Sequence, residues 1–224
     1  MRRLTGGIFQ SLDGVIQAPG GPPEDPSGGF PFGGWMQPVS DDAVGEAIGA
    51  LFTPPYALLL GRRTYDIFAA YWPYVAARGG EEAGFAQALT DADKHVLTRG
   101  DTPLDWANSH SLSDVNAVGA LKATDGPDLL IQGSSTLYPA LLAAGLVDRL
   151  VTFTLPVVLG QGKRLFGAGT PPLTLRMMEH RVTPAGTVIA TYEPAGPVAT
   201  GSFGGVEPNR HEEERQRRIA DGSW

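Results

Sequence analysis

Short, mostly apolar runs recur along the chain and alternate with segments of a different pattern. They lie at 4–10 (LTGGIFQ), 56–60 (YALLL), 94–98 (KHVLT), 128–132 (DLLIQ) and 148–159 (DRLVTFTLPVVL). Runs of this length, bounded by glycine, proline or polar residues, are typical of strands that are buried in a sheet. We therefore predict a strand at each of these five places.

The segments between these strands carry apolar residues at the spacing of an amphipathic helix. After Ser40, the residues Val44, Ile48 and Leu51 fall on one helical face. Ser40 is predicted to cap this helix and Ser113 to cap another, because a hydroxyl oxygen accepts a hydrogen bond from the first turn. Further helices are predicted after Gly61, after Gly133 and within 79–92.

The pattern near residue 180 is that of a hairpin. Residues 173–178 and 187–192 are predicted strands, joined by a turn at 184–186. A short strand is also predicted within 106–112. Strands that alternate with helices indicate an α/β fold, here three layers around a mostly parallel central sheet of about eight strands that ends in an antiparallel hairpin. In such sheets a ligand binds beyond the carboxyl ends of the strands.

Proline and glycine mark two segments outside this alternation. Residues 18–35 contain too many of them for a helix or a central strand, and loops of this length are usually functional or disordered. Their acidic pair, Glu24 and Asp25, is expected to be solvated or to gate a cleft. The pattern changes again near the end, so we predict a domain at 1–194 and an appendage at 195–224, either a mobile tail or a docked helix that covers a partner subunit.

Composition and charge exclude several classes of function. The chain has 224 residues, of which 42% are hydrophobic, as in ordinary globular proteins. It has no cysteine, so disulfides, thiolate nucleophiles and cysteine-ligated metal centres are excluded. The four histidines lack the spacing of a metal-binding motif, so we expect no metal. A net charge of −7 argues against nonspecific nucleic-acid binding, and without an apolar run long enough for a membrane span we expect a soluble cytoplasmic protein.

Two junctions between a strand and a helix carry the residues best suited to bind an anion. At 58–65 (LLLGRRTY) and 129–138 (LLIQGSSTLY), a buried strand ends at a glycine and a helix follows. The free N–H groups and the dipole at the start of a helix attract phosphate, and glycine lets it approach the backbone. Glycine is also common at such turns without a ligand, so a purely structural role stays open for each. Neither junction is a Walker A loop or a GxGxxG motif.

Four motifs follow one another in a specific order: SLDG at 11–14, GRRTY at 61–65, GSSTLYPALLAAGLVDRL at 133–150 and PVVLGQGKRLF at 156–166. This order resembles the dihydrofolate-reductase-like superfamily, in the branch that contains the reductase domain of riboflavin biosynthesis. The resemblance covers residues 3–193. It implies a dihydrofolate-reductase-like fold and an enzyme that uses NADPH to reduce a small pyrimidine- or pterin-like substrate.

The resemblance also implies which residues bind the cofactor. The pyrophosphate and the 2′-phosphate region of NADPH would lie at two turns, formed by Gly61, Arg62, Arg63 and Thr64 and by Gly133, Ser134, Ser135 and Thr136. The segment at 94–100 resembles the one that flanks the 2′-phosphate, which makes Thr98 and Arg99 candidates. An arginine there favours NADPH over NADH, because its charge pairs with the extra phosphate. A solvated cation at a strand end is the alternative for Arg99.

On the substrate side, the resemblance points to the first strand, the loop after it and the next helix. Asp13 is the candidate donor of a proton to a substrate nitrogen, with a turn residue or an ordered water as alternatives. Asp41 or Asp42 holds the place of the carboxylate that grips the pterin in folate reductases, and both also suit a helix N-terminus. Trp35 would lie in a lid over the substrate ring. Lys163 would meet an anionic substrate or belong to a surface loop.

Three hypotheses for the function result. The first is an NADPH-dependent reductase of a small heterocycle. The second is the riboflavin-pathway reductase itself, which acts on a ribityl- or ribosyl-aminopyrimidine phosphate; the long loop at 18–35 departs from that enzyme, and we expect no deaminase domain ahead of residue 1. The third is a non-catalytic nucleotide-binding protein or sensor that kept the fold. Relatives of this type also lead us to expect a homodimer formed through the final strands, with no nucleic-acid or membrane partner.

Overall fold

The structure, a computed structural model, describes residues 1–53, 55–204 and 209–224. Position 54 and positions 205–208, which belong to the predicted appendage, lie outside the described residues. The strands of the described chain are β1 (Leu4–Ser11), β2 (Tyr56–Gly61), β3 (Lys94–Leu97), β4 (Ser109–Leu112), β5 (Asp128–Gln132), β6 (Arg149–Leu155), β7 (Leu175–Val182) and β8 (Val188–Pro194). Its α-helices are α1 (Asp42–Leu51), α2 (Arg62–Arg78), α3 (Ala83–Asp91), α4 (Val115–Lys122), α5 (Leu137–Ala143) and α6 (Arg210–Asp221).

All these strands form one sheet, in the order β4-β3-β2-β5-β1-β6-β8-β7. The strands from β4 to β6 pair in parallel, whereas β8 is antiparallel to both β6 and β7. Parallel strands place their carboxyl ends at one edge of the sheet. The loops that follow β1, β2, β3, β5 and β6 therefore meet at that edge, with β1 and β5 at its centre.

Alternate residues of the central strands face opposite sides of the sheet, and different helices cover each side. Leu59 and Ile131 pack with residues of α4 and α5. Leu58, Leu60 and Leu130 pack on the other side with residues of α2 and α3. A third cluster joins α1 to β1 and β6. Burial on both faces explains why the central strands are continuous apolar runs.

The α/β fold predicted from the sequence is confirmed, with its mostly parallel sheet and its closing hairpin. One strand is shorter than predicted. The strand expected at 148–159 ends at Leu155, because Pro156 has no N–H group to donate to the ladder. The residues beyond it form a loop that belongs to the candidate site.

Two helix caps differ by one residue from the prediction. Asp41 caps α1 by accepting a hydrogen bond from the N–H of Val44 at 3.0 Å. Asp114 caps α4 by accepting one from the N–H of Ala117 at 2.9 Å. The preceding serines were predicted because a hydroxyl caps well, but the carboxylate next to each of them reaches the first turn and also complements the helix dipole.

Helix α6 belongs to the predicted appendage. Its N-cap, Asn209, accepts hydrogen bonds from the N–H groups of His211 and Glu212. The helix ends at Gly222, which has a left-handed φ of 75°. None of its residues is buried, and the ion pair between Arg215 and Glu212 lies within it. The division at residue 194 stays a prediction.

Two kinds of feature are absent from the described part of the chain. None of its helices combines the length and the hydropathy that crossing a membrane requires. Three or more histidine, aspartate or glutamate side chains that could together hold a metal ion do not meet anywhere in 1–53, 55–204 or 209–224.

Candidate functional site

The carboxyl edge of the sheet has a gap beside its central strand. Along β1, the pairing with β5 covers Leu4–Gly7 and stops there, because β5 ends at Gln132, opposite Gly7. β1 continues to Ser11 and pairs with β6 over that stretch. Among the described strands, none covers the other edge of β1 beyond Gly7. We call this gap, between the end of β1 and the turn after β5, the notch.

The turns after β2 and β5 are in direct contact next to the notch. The N–H of Gly61 donates to Oγ of Ser134 at 2.9 Å, and the hydroxyl oxygens of Thr64 and Ser134 are 2.7 Å apart. The two junctions that the sequence shows separately therefore form one structure, which we call the turn pair. It exists because β2 and β5 are neighbours in the sheet.

Glycine allows the two turns to approach this closely. A Cβ atom on Gly61 would lie 2.8 Å from Oγ of Ser134, and one on Gly133 would lie 3.1 Å from Oγ1 of Thr64. Gly133 also has a left-handed φ of 59°. Ser134 has a φ of 62°, an uncommon conformation for a residue with a side chain that costs about 1 kcal/mol or more. Backbone strain of this kind is concentrated at functional sites.

Helix α2 begins at the turn pair with N–H groups that no side chain caps. Its N-cap is Gly61, so no capping side chain occupies the first N–H groups at the positive end of the helix dipole. The Arg62 guanidinium donates to Asp66 at 2.9 Å and to the carbonyl of Thr102 at 2.7 Å. The side chain of Arg63 is 63% exposed. Arg62 thus braces the loop after β3, and Arg63 is the more accessible cation.

The remaining predicted cofactor residues lie along the same edge. Thr98 and Arg99 follow β3, the strand next to β2. Oγ1 of Thr98 accepts a hydrogen bond from the N–H of Gly100 at 3.3 Å, and Arg99 is exposed. Ser135 is half-buried and Thr136 is exposed in the turn after β5. The structure therefore brings these residues together at the ends of three adjacent strands.

Asp13 fastens the loop after β1 to the loop after β6. Its carboxylate accepts hydrogen bonds from the Ser11 hydroxyl at 2.6 Å and from the N–H groups of Leu159 at 3.1 Å and Gly160 at 2.9 Å, and it pairs with Arg164. These hydrogen bonds, that of Ser11 above all, lower the pKa of Asp13 to about 2. A carboxyl group with this pKa carries no proton near neutral pH. The structure argues against a proton donor at Asp13 and favours the turn role.

Trp35 lies in the core of the domain. It is 7% exposed, and its indole N–H donates to the carbonyl of Gln17 at 2.8 Å. With Phe30, it packs in the cluster that joins α1 to β1 and β6. Phe30 and Trp35 therefore anchor the long loop to the domain, and Trp35 would have to leave the core to cover a substrate ring.

The two aspartates at the start of α1 have different surroundings. Besides capping the helix, Asp41 accepts a hydrogen bond from the N–H of Ala185 at 2.7 Å, in the turn between β7 and β8. That hydrogen bond is the main cause of the lowered pKa of Asp41. Asp42 is exposed in the first turn. Of the two, only Asp42 has a carboxylate without a structural partner among the described residues.

Lys163 forms an ion pair and hydrogen bonds within the protein. These belong to a hydrogen-bond network around Gln17, a residue that the sequence analysis did not identify. Nζ of Lys163 lies 2.5 Å from a carboxylate oxygen of Asp25 and 2.7 Å from Oγ of Ser27. The Gln17 side chain accepts from the N–H of Lys163 at 3.0 Å and donates to the carbonyls of Asp25 and Ser27, each at 2.9 Å.

This network borders a cavity of about 300 Å³ between the two loops. The prediction that Asp25 is solvated is wrong, because its side chain is only 13% exposed. No periodic signal marks a buried glutamine in a loop, so only the structure could identify Gln17.

Comparison with known sequences supplies the family context for this geometry. The model of the RibD C-terminal domain family matches residues 2–189. The uncharacterised protein YyaP of Bacillus subtilis (strain 168) is 26% identical over 195 residues, which cover 85% of this chain and 94% of that protein.

Solved structures with the same fold include two of direct interest. A "putative riboflavin biosynthesis protein" from Shewanella sp. PV-4 is 23% identical with a TM-score of 0.62, and the match covers 86% of this chain and 99% of that one. Dihydrofolate reductase from Enterococcus faecalis, solved with NADP(H), is 16% identical with a TM-score of 0.52, and the match covers 86% and 96% of the two chains. These likenesses confirm the predicted dihydrofolate-reductase-like fold.

Proposed function

The chain belongs to the RibD C-terminal domain family, and on that premise we propose that it is an NADPH-dependent reductase that transfers hydride to a C=N or C=O bond of a small heterocycle. The observation that carries the proposal is the contact between the turns after β2 and β5 beside the notch. This contact gives one ligand two glycine turns at adjacent strand ends, where ligands of open α/β sheets bind.

The residues of the turn pair fit the phosphate groups of NADPH. The first N–H groups of α2 have no side-chain cap, and a phosphate at such a helix start gains both hydrogen bonds and the dipole. Arg63 adds an exposed guanidinium beside them. NADPH would be held by the residues from Gly61 to Thr64 and from Gly133 to Thr136, with Thr98 and Arg99 at the 2′-phosphate.

The chemistry divides between the cofactor and the chain. When bound, NADPH supplies the hydride. Between Gly7, where β5 ends, and Ser11, whose N–H donates to the carbonyl of Val15, the edge of β1 at the notch would offer backbone groups that orient a planar ring, and the long loop would exclude water. We assign the proton that accompanies the hydride to an ordered water, because Asp13 is ionised at neutral pH.

Two features bear on the choice of substrate. The family match and the description of the Shewanella protein favour an aminopyrimidine of riboflavin biosynthesis as a second candidate beside pterin-like rings. Asp42, exposed at the start of α1, is the carboxylate we assign to such a ring. Lys163, which is paired with Asp25, is not available to an anionic group of the substrate unless that pair opens.

The first test is a titration of the protein with NADPH and with NADH, followed by tryptophan fluorescence. We expect micromolar binding of NADPH and much weaker binding of NADH. Arg63→Ala should weaken NADPH binding about tenfold or more, as expected for the loss of a charge-assisted hydrogen bond. Arg78→Ala is the matched control, because Arg78 lies at the opposite end of the same helix.

Three outcomes would separate the hypotheses. Binding of neither nucleotide overturns the proposal. Equal loss of affinity in both arginine variants removes the turn pair as the phosphate site. Tight NADPH binding without reduction of any pyrimidine or pterin substrate favours the non-catalytic nucleotide-binding alternative.

A further inference from the structure

One carboxylate holds the long loop on two sides of the notch. Asp25 lies 2.5 Å from Nζ of Lys163 and 4.0 Å from Nη1 of Arg63. Lys163 follows β6, and Arg63 lies in the first turn of α2, after β2. In the sheet, β2 and β6 are separated by β5 and β1, the two strands that border the notch. Asp25 therefore links the loop after β6 to the start of α2, across the two strands that border the notch. We call residues 19–34 the strap.

The two attachments of Asp25 differ in strength. On the side of Lys163, the carboxylate also accepts hydrogen bonds from the hydroxyl and the N–H of Ser27, at 2.5 and 3.2 Å. Burial would raise the pKa of Asp25, but the hydrogen bonds from Lys163 and Ser27 outweigh it, and the pKa stays below its ordinary value. The pair with Arg63 is long, and Arg63 is largely exposed. A pair at this distance with a largely exposed arginine is weak.

We propose that Asp25 is the built-in counter-anion of Arg63 and that a phosphate group of the ligand displaces it. The identity of that phosphate as part of NADPH rests on the proposed function above. Without ligand, Lys163 and Arg63 share the Asp25 carboxylate, and its longer contact with Arg63 links the strap to the start of α2. A phosphate at the turn pair carries more charge and also reaches the free N–H groups of the helix. It therefore takes Arg63 and leaves Asp25 to Lys163, so that binding and the attachment of the strap are coupled.

Nucleotide affinity tests this competition. Asp25→Asn keeps the shape of the side chain and removes its charge. We expect it to tighten NADPH binding about twofold to fivefold, the range that corresponds to an exposed ion pair. In an Arg63→Ala background the same change should have no effect, because the competitor has lost its target. Glu24→Gln is the control, since it removes a charge of the strap that accepts hydrogen bonds from Gly20 and Gly21 and makes no ion pair with Arg63.

Hydrogen–deuterium exchange of the strap supplies a readout that needs no NADPH. We expect residues 19–34 to exchange faster in Arg63→Ala, which keeps the pair of Asp25 with Lys163, than in the wild-type protein, with the sheet unchanged. Inorganic pyrophosphate should accelerate exchange of the strap in the wild-type protein and leave Arg63→Ala unaffected.

The two experiments fail in distinguishable ways. If strap exchange is the same in the wild-type protein and Arg63→Ala, or if Asp25→Asn tightens NADPH binding equally without Arg63, the counter-anion role is overturned. If pyrophosphate moves the strap through Arg63 while NADPH does not bind, the counter-anion role stands and the proposed reductase function fails.

Discussion

Three aspartates hold the loops around the notch, and each does so with a partner far away in the chain. Asp13 binds the N–H groups of Leu159 and Gly160, Asp41 binds that of Ala185, and Asp25 pairs with Lys163. The sequence predicts aspartates at turns and helix starts, because their side chains bind nearby N–H groups. It does not predict these second partners, since no local pattern specifies a contact across 138 or more positions. The candidate site was therefore predictable as a set of turns, but the role of each carboxylate was not.

We expect Asp13→Asn to lower the free energy of unfolding by about 1–3 kcal/mol at pH 7, because hydrogen bonds to a charged group are weakened. The pKa of Asp13 is about 2 in the folded protein against an ordinary value of 3.8. A lowered pKa stabilises the folded state above the ordinary value, and this contribution is lost as the pH falls from 3.8 towards 2. Urea denaturation at pH 7 and pH 3 checks the effect.

The exposed residue Asp101 supplies the control for that comparison, as Asp101→Asn. The difference in the free energy of unfolding between the wild-type protein and Asp13→Asn should be smaller at pH 3 than at pH 7. A difference in unfolding free energy that does not change with pH would contradict the role of the Asp13 charge.

We expect Arg99→Ala to weaken NADPH binding by about 1.5–3 kcal/mol, the range for a hydrogen bond to a charged group, and to leave NADH binding unchanged. Arg62→Ala should have an effect of the same size, because Arg62 lies at the start of α2 and also holds the carbonyl of Thr102 in the loop after β3. Calorimetric titration of each variant with both nucleotides measures its preference for NADPH over NADH. Unchanged NADPH affinity in both variants would count against a 2′-phosphate site at this edge.

At the scale of elements, strand positions were easier to predict than strand neighbours. β2 and β5 are continuous apolar runs between breaking residues, so their bounds were predicted to within one residue. β4 (SHSL) is polar and partly exposed, and the sequence placed it only within a longer segment. The notch arises because β5, on one side of β1, ends opposite Gly7, whereas β6, on the other side, pairs with β1 as far as Ser11. Which strands neighbour β1 is a property of the packed sheet.

We expect Asp41→Ala to lower the thermal midpoint by about 2–4 °C, because it removes a helix cap and the link between α1 and the β7–β8 turn. Asp42→Ala is the matched variant on the same turn and should leave the midpoint nearly unchanged. If Asp42 binds the substrate, its replacement raises KM at unchanged stability. Scanning calorimetry and steady-state kinetics distinguish the two roles, and equal midpoints for both variants would contradict the cap assignment.

On the scale of the whole molecule, the outer edge of the sheet is exposed and carries apolar side chains. β7 is the last strand, and its residues are exposed on both faces apart from the first. Met177 and Met178 are each 47% exposed and Val182 is 64% exposed. The strand also carries Arg176, Glu179, His180 and Arg181, but among the described strands none pairs with its outer edge, and an unpaired edge can associate with another strand. We propose that a second copy of the chain pairs with β7, because antiparallel pairing of the same strand closes a two-fold dimer and leaves no further edge on that side.

Light scattering after gel filtration tests the dimer. The wild-type protein should have twice the chain mass of 23.6 kDa. Met178→Lys should yield the single-chain mass, because a charge on the edge opposes pairing. Tyr74→Lys, which alters a residue that is 66% exposed on α2, should remain dimeric. A single-chain mass for the wild-type protein would exclude this assembly.

The turn pair joins residues that leave the ribosome at different times. When Gly61 emerges, its partner Ser134 is still to be translated, and β6, which completes the surroundings of β1, follows later still. A nascent chain that has produced β1 and β2 therefore holds only half of the proposed phosphate site. Domains tend to fold as units during synthesis, and pairings between distant segments form slowly. Capture of a nucleotide by a growing chain would accordingly mark the moment at which the centre of the sheet has closed.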